Sequence, residues 1–246
     1  MRYIQLGQFS ASVIGLGTGQ IGTQSWGWGT EFDTNSVTPI LKTAAEVGIN
    51  FIDTAEIYGK GESERQLGSY LQDVRAQFLI ASKVSPWHLT STKVYKAALN
   101  SLHRLQMNSI DLYQIHVPNP LISLNSTISG MKKLMQEGKI KEIGVSNFSL
   151  NRWLKTEKIL NGNVVTNQVE FNLLHPQAIV NMNPQLQNNH VMIAYSPLAM
   201  GLLSGKYDNV RKPTNDRLKN PAFSSRNFNN VERVMQVVRR IATSHG

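Results

Sequence analysis

Short apolar runs alternate with longer amphipathic stretches along the whole chain. Val13 to Leu16 reads as a first strand, and Val37, Ile40, Leu41 and Ala44 then recur at helical spacing before a stop at Gly48. A strand at Ile49 to Ile52 leads to a helix with capping-box spacing at Ser63 and Gln66 and an apolar side of Leu67, Tyr70 and Leu71. The strand Phe78 to Ser82 precedes a helix carrying Val94, Ala97, Ala98, Leu102 and Leu105. The strand Ile110 to Ile115 precedes one carrying Ile128, Met131, Leu134 and Met135, which stops near Gly138. Strands at Ile140 to Val145, Val164 to Val169 and Val191 to Tyr195 follow. They are interleaved with a helix at Leu150, Trp153 and Leu154 and a weaker helical stretch from Gln177 to Leu186. A last helix carries Val231, Val234, Met235, Val238 and Ala242.

Such alternation implies parallel strands joined by crossover helices, in an open doubly wound sheet or a closed barrel. No GxGxxG opens the first helix, which weighs against the dinucleotide-binding sheet. Polar residues gather at the ends of several strands, as in a barrel. The expectation is an α/β chain forming one (β/α)8 TIM barrel domain over residues 1–246, with seven strands legible and the eighth strand–helix unit absent.

The length of 246 residues suits this, since such barrels take about 250. A hydrophobic fraction of 41% and a charged fraction of 17% are those of a globular chain. With no cysteine, disulfides and thiolate metal sites are excluded, and a reducing cytoplasm is the expected location. No apolar run approaches the ~20 residues of a membrane span. The net charge is +9, which raises nucleic acid as a partner. Yet the stretch Gly205 to Asn230 holds six cations (Lys206, Arg211, Lys212, Arg217, Lys219, Arg226) against Asp208 and Asp216, a net of +4. A basic loop of this kind serves the phosphates of a small cofactor, and no nucleic acid is expected.

Chemistry concentrates at three strand ends. Asp53 and Tyr58 follow the second strand, Lys83 the third and His116 the fourth. Tyrosine has a reference pKa of about 10, and a cation at ~4 Å contributes roughly 4 kcal/mol at an effective dielectric of 20. Lys83 beside Tyr58 is therefore expected to make the phenol a usable proton donor, with Asp53 keeping Lys83 charged. His116 is suited to orienting a substrate oxygen. Taken singly, each has an ordinary alternative: a turn cap, a packing tyrosine, a surface lysine. Together they suit protonation of a carbonyl oxygen as hydride reaches its carbon. None supplies the hydride, so a nicotinamide cofactor is required.

The chain resembles the aldo-keto reductase superfamily through six ordered motifs. These are DTAEIYG from Asp53, SKV around Lys83, DLYQIHVP around His116, IKEIGVSNF from Ile140, NQVEFN from Asn167 and AYSPLAMGLLSGKY from Ala194. The resemblance implies an NADPH-dependent reductase of aldehydes or ketones, with NADH not excluded. It makes Tyr58 the general acid, Lys83 and Asp53 its tuning pair and His116 the orienting group. It places Gly17 and Thr18 under the nicotinamide, Ser146, Asn147 and Gln168 at its carboxamide, and Tyr195 on its ring. It assigns the pyrophosphate loop to Ser196, Leu198 and Gly201, and the basic contacts to Lys206 and Arg217.

The chain departs from the family pattern in the missing eighth unit, which usually contacts the adenosine and its 2′-phosphate. It departs also in an enlarged first loop, Gln20 to Thr30, and in Val117 after His116. Trp26, Trp28 and Trp87 are candidates for an apolar substrate pocket. Two alternatives accompany the enzyme: a cofactor-binding regulatory subunit like those of potassium channels, and an inactive, incomplete barrel.

Overall fold

The computed structural model describes residues 1–72, 74–180, 190–208, 210–213 and 215–245. A two-stranded antiparallel hairpin, β1 (Tyr3–Leu6) and β2 (Phe9–Ser12), comes first. The main sheet has seven strands in strict chain order: β3 (Gly15–Gly17), β4 (Phe51–Asp53), β5 (Leu79–Val84), β6 (Ile110–Ile115), β7 (Ile140–Ser146), β8 (Thr166–Glu170) and β9 (Val191–Tyr195). Every pairing from β3 with β4 through β7 with β8 is parallel. Between them run α1 (Thr34–Glu46), α2 (Glu62–Leu71), α3 (Ser91–Leu105), α4 (Leu124–Gln136) and α5 (Leu150–Leu160), and α6 (Ser225–His245) closes the described chain. Strict chain order rules out the doubly wound sheet, whose strand order must reverse at a switch point. It is the wiring of a (β/α)8 barrel.

The strands are short; β4 to β8 are mostly buried, whereas β3 and β9, at the two ends of the strand order, are only partly so. Their side chains alternate between two environments, as the two-residue period demands. Ile52, Ile80 and Tyr113 face one way, fully or almost fully buried; Phe51, Ala81 and Leu112 face the other and pack with Leu6 and Ala11 of the hairpin. The hairpin, absent from the sequence expectations, therefore covers one end of that sheet face with Leu6 and Ala11. Two residues further along the same faces stand Asp53, Lys83 and Gln114, towards the carboxyl ends.

The expected elements appear within a few residues of their sequence positions, with one local correction. Ser63 and Gln66 form no capping box: α2 is capped by Gly61 without a side-chain bond. Ser63 turns inward to bond Thr18 and Thr54, and Gln66 bonds Glu62. Of the expected helix from Gln177 to Leu186, residues 177–180 are helical and the remainder lies outside the described residues.

Contacts divide the chain into two compact units, Met1–Val169 with the start of β9, and Glu170–Val180 with Ala194 onward. The second has its own core, in which Ala199, Leu202 and Leu203 meet Phe223, Phe228, Val231 and Met235. Among the described residues no helix is long and apolar enough to cross a membrane, and no cluster could hold a metal ion.

Candidate active site

Parallel register brings the strand-end residues together in the first unit. Lys83 pairs across the ladder with Gln114, Gln114 with Gly144, and Ser146 with Gln168. The Lys83 side chain is fully buried. Its Nζ donates to Asp53 Oδ1 at 2.5 Å, to the Thr54 carbonyl at 2.8 Å and to the Tyr58 hydroxyl at 3.3 Å. All three ammonium protons are thereby used. Burial alone would push the Lys83 pKa down, but attraction to Asp53 and Tyr58 and the hydrogen bonds to both outweigh it, and the net direction is up. The surroundings of Lys83 therefore favour its charged form.

Tyr58 reaches this cluster because the chain turns sharply after β4. Gly59 and Gly22 approach so closely that a Cβ on Gly59 would lie 2.6 Å from the Gly22 carbonyl carbon. Gly59 also adopts a positive φ of 57°, so glycine is required there twice over. The Tyr58 ring meets the His116 ring edge-on, with centroids 5.6 Å apart. Its pKa runs against the simple expectation. Burial raises it, and although Lys83 pulls it down, Asp53 pushes it up and the net shift is upward. The phenol is therefore kept protonated.

His116 is mostly buried and lowered from 6.5 to about 4, first by burial and then by the Lys83 charge. It is a neutral imidazole at pH 7. Its backbone N–H donates to Val84 at 3.0 Å, which locks the end of β6 to β5.

A second layer surrounds Asp53. Oδ2 accepts from Gln168 Nε2 at 2.9 Å and from Gln114 Nε2 at 3.1 Å. The Asp53 carbonyl accepts from both the N–H and the hydroxyl of Thr18, each at 2.9 Å. Asn147, at a positive φ of 59°, donates from Nδ2 to the His116 carbonyl at 3.2 Å and to Ser146 Oγ at 3.0 Å, and its backbone N–H bonds the Gln168 carbonyl. A Cβ on Gly17 would meet nothing within 4 Å, so open space borders the end of β3. The first unit thus gathers Gly17, Thr18, Asp53, Tyr58, Lys83, His116, Ser146, Asn147 and Gln168. Gln114 joins them, a residue the sequence reading passed over. Its signal was present in DLYQIHVP, as an amide two residues before His116 and two after the apolar Leu112.

The second unit holds the rest. Ser196, Ala199, Met200 and Gly201 all have positive φ in a turn run closed by bonds from Ala199 N to Ser196 O and from Gly201 N to Leu198 O. Successive residues of opposite hand make backbone concavities that suit anions. Leu198 is exposed and Arg217 buried, and Lys206 lies over the Tyr207 ring. The basic stretch is partly self-paired, Arg211 with Asp208 and Lys219 with Asp216. Of the tryptophans, Trp28 packs edge-on against Phe32 and Trp87 is largely exposed.

The chain is similar to several known proteins. An uncharacterized oxidoreductase of Mycobacterium tuberculosis (strain ATCC 25618 / H37Rv) is 43% identical over 244 residues, covering 98% of this chain and 76% of that protein. The crystal structure of an aldo-keto reductase from Klebsiella pneumoniae in complex with NADPH superposes with a TM-score of 0.74 at 31% identity, covering 83% and 71% of the two chains. A glycerol dehydrogenase from Gluconobacter oxydans superposes with a TM-score of 0.87 at 30% identity, covering 99% and 79%. The family model for the aldo/keto reductase family matches residues 13–246. The chain is a member of the aldo/keto reductase family.

Proposed function

We propose that this oxidoreductase reduces aldehyde or ketone carbonyls to alcohols with NADPH, Tyr58 acting as the general acid. The observation that carries the reading is the three-way hold on the Lys83 ammonium, which directs one of its protons onto the Tyr58 oxygen. A phenol that accepts from a cation keeps its own proton for donation outward. His116, neutral at pH 7, retains one ring N–H for the carbonyl oxygen. Two donors then converge where negative charge develops, the arrangement that most lowers the barrier of such additions.

Residues present suit a nicotinamide cofactor. A carboxamide needs both donors and acceptors, and Ser146, Asn147 and Gln168 offer a hydroxyl and two amides. Tyr195 offers an aromatic face. The turns from Ser196 to Gly201, in which Leu198 at a negative φ is followed by Ala199, Met200 and Gly201 at positive φ, suit a pyrophosphate, and Lys206 and Arg217 suit phosphate charge. NADPH, when bound, supplies the hydride that none of these side chains can. In this reading the substrate is a small carbonyl compound, and the same groups run in reverse oxidise an alcohol.

Purified protein should oxidise NADPH in the presence of 4-nitrobenzaldehyde. Tyr58→Phe should lower kcat by about 10²–10⁴-fold, the usual worth of a general acid, while NADPH still quenches protein fluorescence. Equal turnover by the variant would falsify the assignment of Tyr58.

A further inference from the structure

We infer that Gln114 is a positioning residue for this reaction, acting through Asp53; the inference rests on the proposed role of Tyr58 and Lys83. Gln114 is completely buried, between Tyr113 and Ile115 on β6. Its Nε2 donates to Asp53 Oδ2 at 3.1 Å, and an ionised carboxylate accepts only, so the amide nitrogen must face Asp53. Its Oε1 is buried without a hydrogen-bond partner among the described residues. An unpaired buried carbonyl is costly, and a methionine or leucine would fill the same space without it. What the glutamine adds is its N–H group.

Space for that side chain is made by a neighbour. A Cβ on Gly144 would lie 2.2 Å from Thr166 Oγ1 and 3.0 Å from Gln114 Cγ, so glycine on β7 spares Thr166 a clash and leaves Gln114 uncrowded as it reaches towards Asp53. With Gln168 sharing Oδ2, the two amides fix the rotation of the carboxylate and turn Oδ1 to Lys83. The Lys83 proton aimed at Tyr58 then has one direction available. Gln114 is the member of this pair that no expected cofactor contact claims.

The test is a double-mutant cycle of Gln114→Met with Asp53→Asn, followed in 4-nitrobenzaldehyde reduction by NADPH and in thermal unfolding of the cofactor-free protein. Losing one hydrogen bond to a charged group corresponds to about a tenfold change. Gln114→Met should lower kcat about tenfold, leave the KM for NADPH within about twofold, and add nothing once Asp53 is asparagine. Gln114→Glu covers the case where the methionine variant folds poorly. A carboxylic acid can replace the amide donor only while protonated, so its activity relative to wild type should fall as pH rises.

Unchanged kcat in Gln114→Met, or a loss repeated in full beside Asp53→Asn, overturns the inference. So does a Gln114→Glu to wild-type ratio that ignores pH. A wild type with no carbonyl reduction overturns the proposed function instead, and the unfolding cycle still reports whether Gln114 and Asp53 are coupled.

Discussion

The two compact units approach polar chemistry in opposite ways. In the first, the groups satisfy one another: Lys83 meets three acceptors, and Asp53 meets Lys83 and two amides. Their positions follow from strand register, which places Lys83 opposite Gln114 and Ser146 opposite Gln168. In the second, the corresponding stretch is a run of turns at positive φ, with side chains such as Leu198 exposed. A sheet sets side-chain positions to a fraction of an ångström, which proton transfer requires. A turn presents backbone N–H groups, which an extended anion requires. Preorganised charge and strained backbone are therefore separate devices, and each should fail in its own manner.

The largest effect should come from breaking the charge cluster. Asp53→Ala leaves the buried Lys83 ammonium without its counter-ion, which costs about 3–5 kcal/mol. At roughly 2–4 °C per kcal/mol for a chain of this size, calorimetry should show a fall in Tm of about 10 °C, with carbonyl reduction lost as well. A Tm within a degree or two of wild type would mean the pair is not the structural keystone its geometry implies.

Next comes pH. The His116 pKa is lowered from 6.5 to about 4, so the folded state favours the neutral ring. The associated stability is complete above pH 6.5 and is lost as pH falls towards 4. Urea unfolding of the wild type should lose up to about 3 kcal/mol more over that interval than unfolding of His116→Gln. Parallel pH curves for the two proteins would remove His116 as a source of acid sensitivity.

A smaller and qualitatively different effect is expected in the second unit. Gly201 has a φ of 101°, and a Cβ there would stand 2.9 Å from Tyr207. Gly201→Ala should strain the turn by about 1–2 kcal/mol. NADPH affinity should weaken about tenfold by fluorescence titration, with kcat at saturating cofactor nearly unchanged. A fall in kcat with unchanged affinity would blur the division between the two devices. The smallest effect belongs to the exposed pair Arg211–Asp208. Arg211→Ala should leave the calorimetric Tm indistinguishable from wild type, even though hydrogen bonds, chiefly from Arg211, hold the Asp208 carboxyl down to about 2. Exposed charge, unlike the Lys83 cluster, is already well solvated.

Much of this was legible in the residues. β6 and β9 run over the same residues as their sequence patterns, because each is a bounded, mostly apolar run. Asp53, Lys83 and His116 were recognisable because each polar residue interrupts or ends such a run. The hairpin β1–β2 was harder to see, since Tyr3 and Ile4 are exposed and only Leu6 and Ala11 turn inward. The Ser63 and Gln66 spacing misled for a related reason: a local pattern cannot register that a buried hydroxyl from Thr18 lies nearby.

By itself, the sequence determined the alternation of strand and helix, the strand-end placement of the acid, phenol, amine and imidazole, and the basic, glycine-bearing stretch after β9. Those are properties of neighbours along the chain. Only the tertiary structure decided that burial outweighs Lys83 in setting the direction of the Tyr58 pKa, that His116 is neutral, and that Gln114 and Gln168 hold the far oxygen of Asp53. Each of these depends on groups brought together from different strands, where desolvation and the alignment of several dipoles act at once. No spacing within a single strand carries that information.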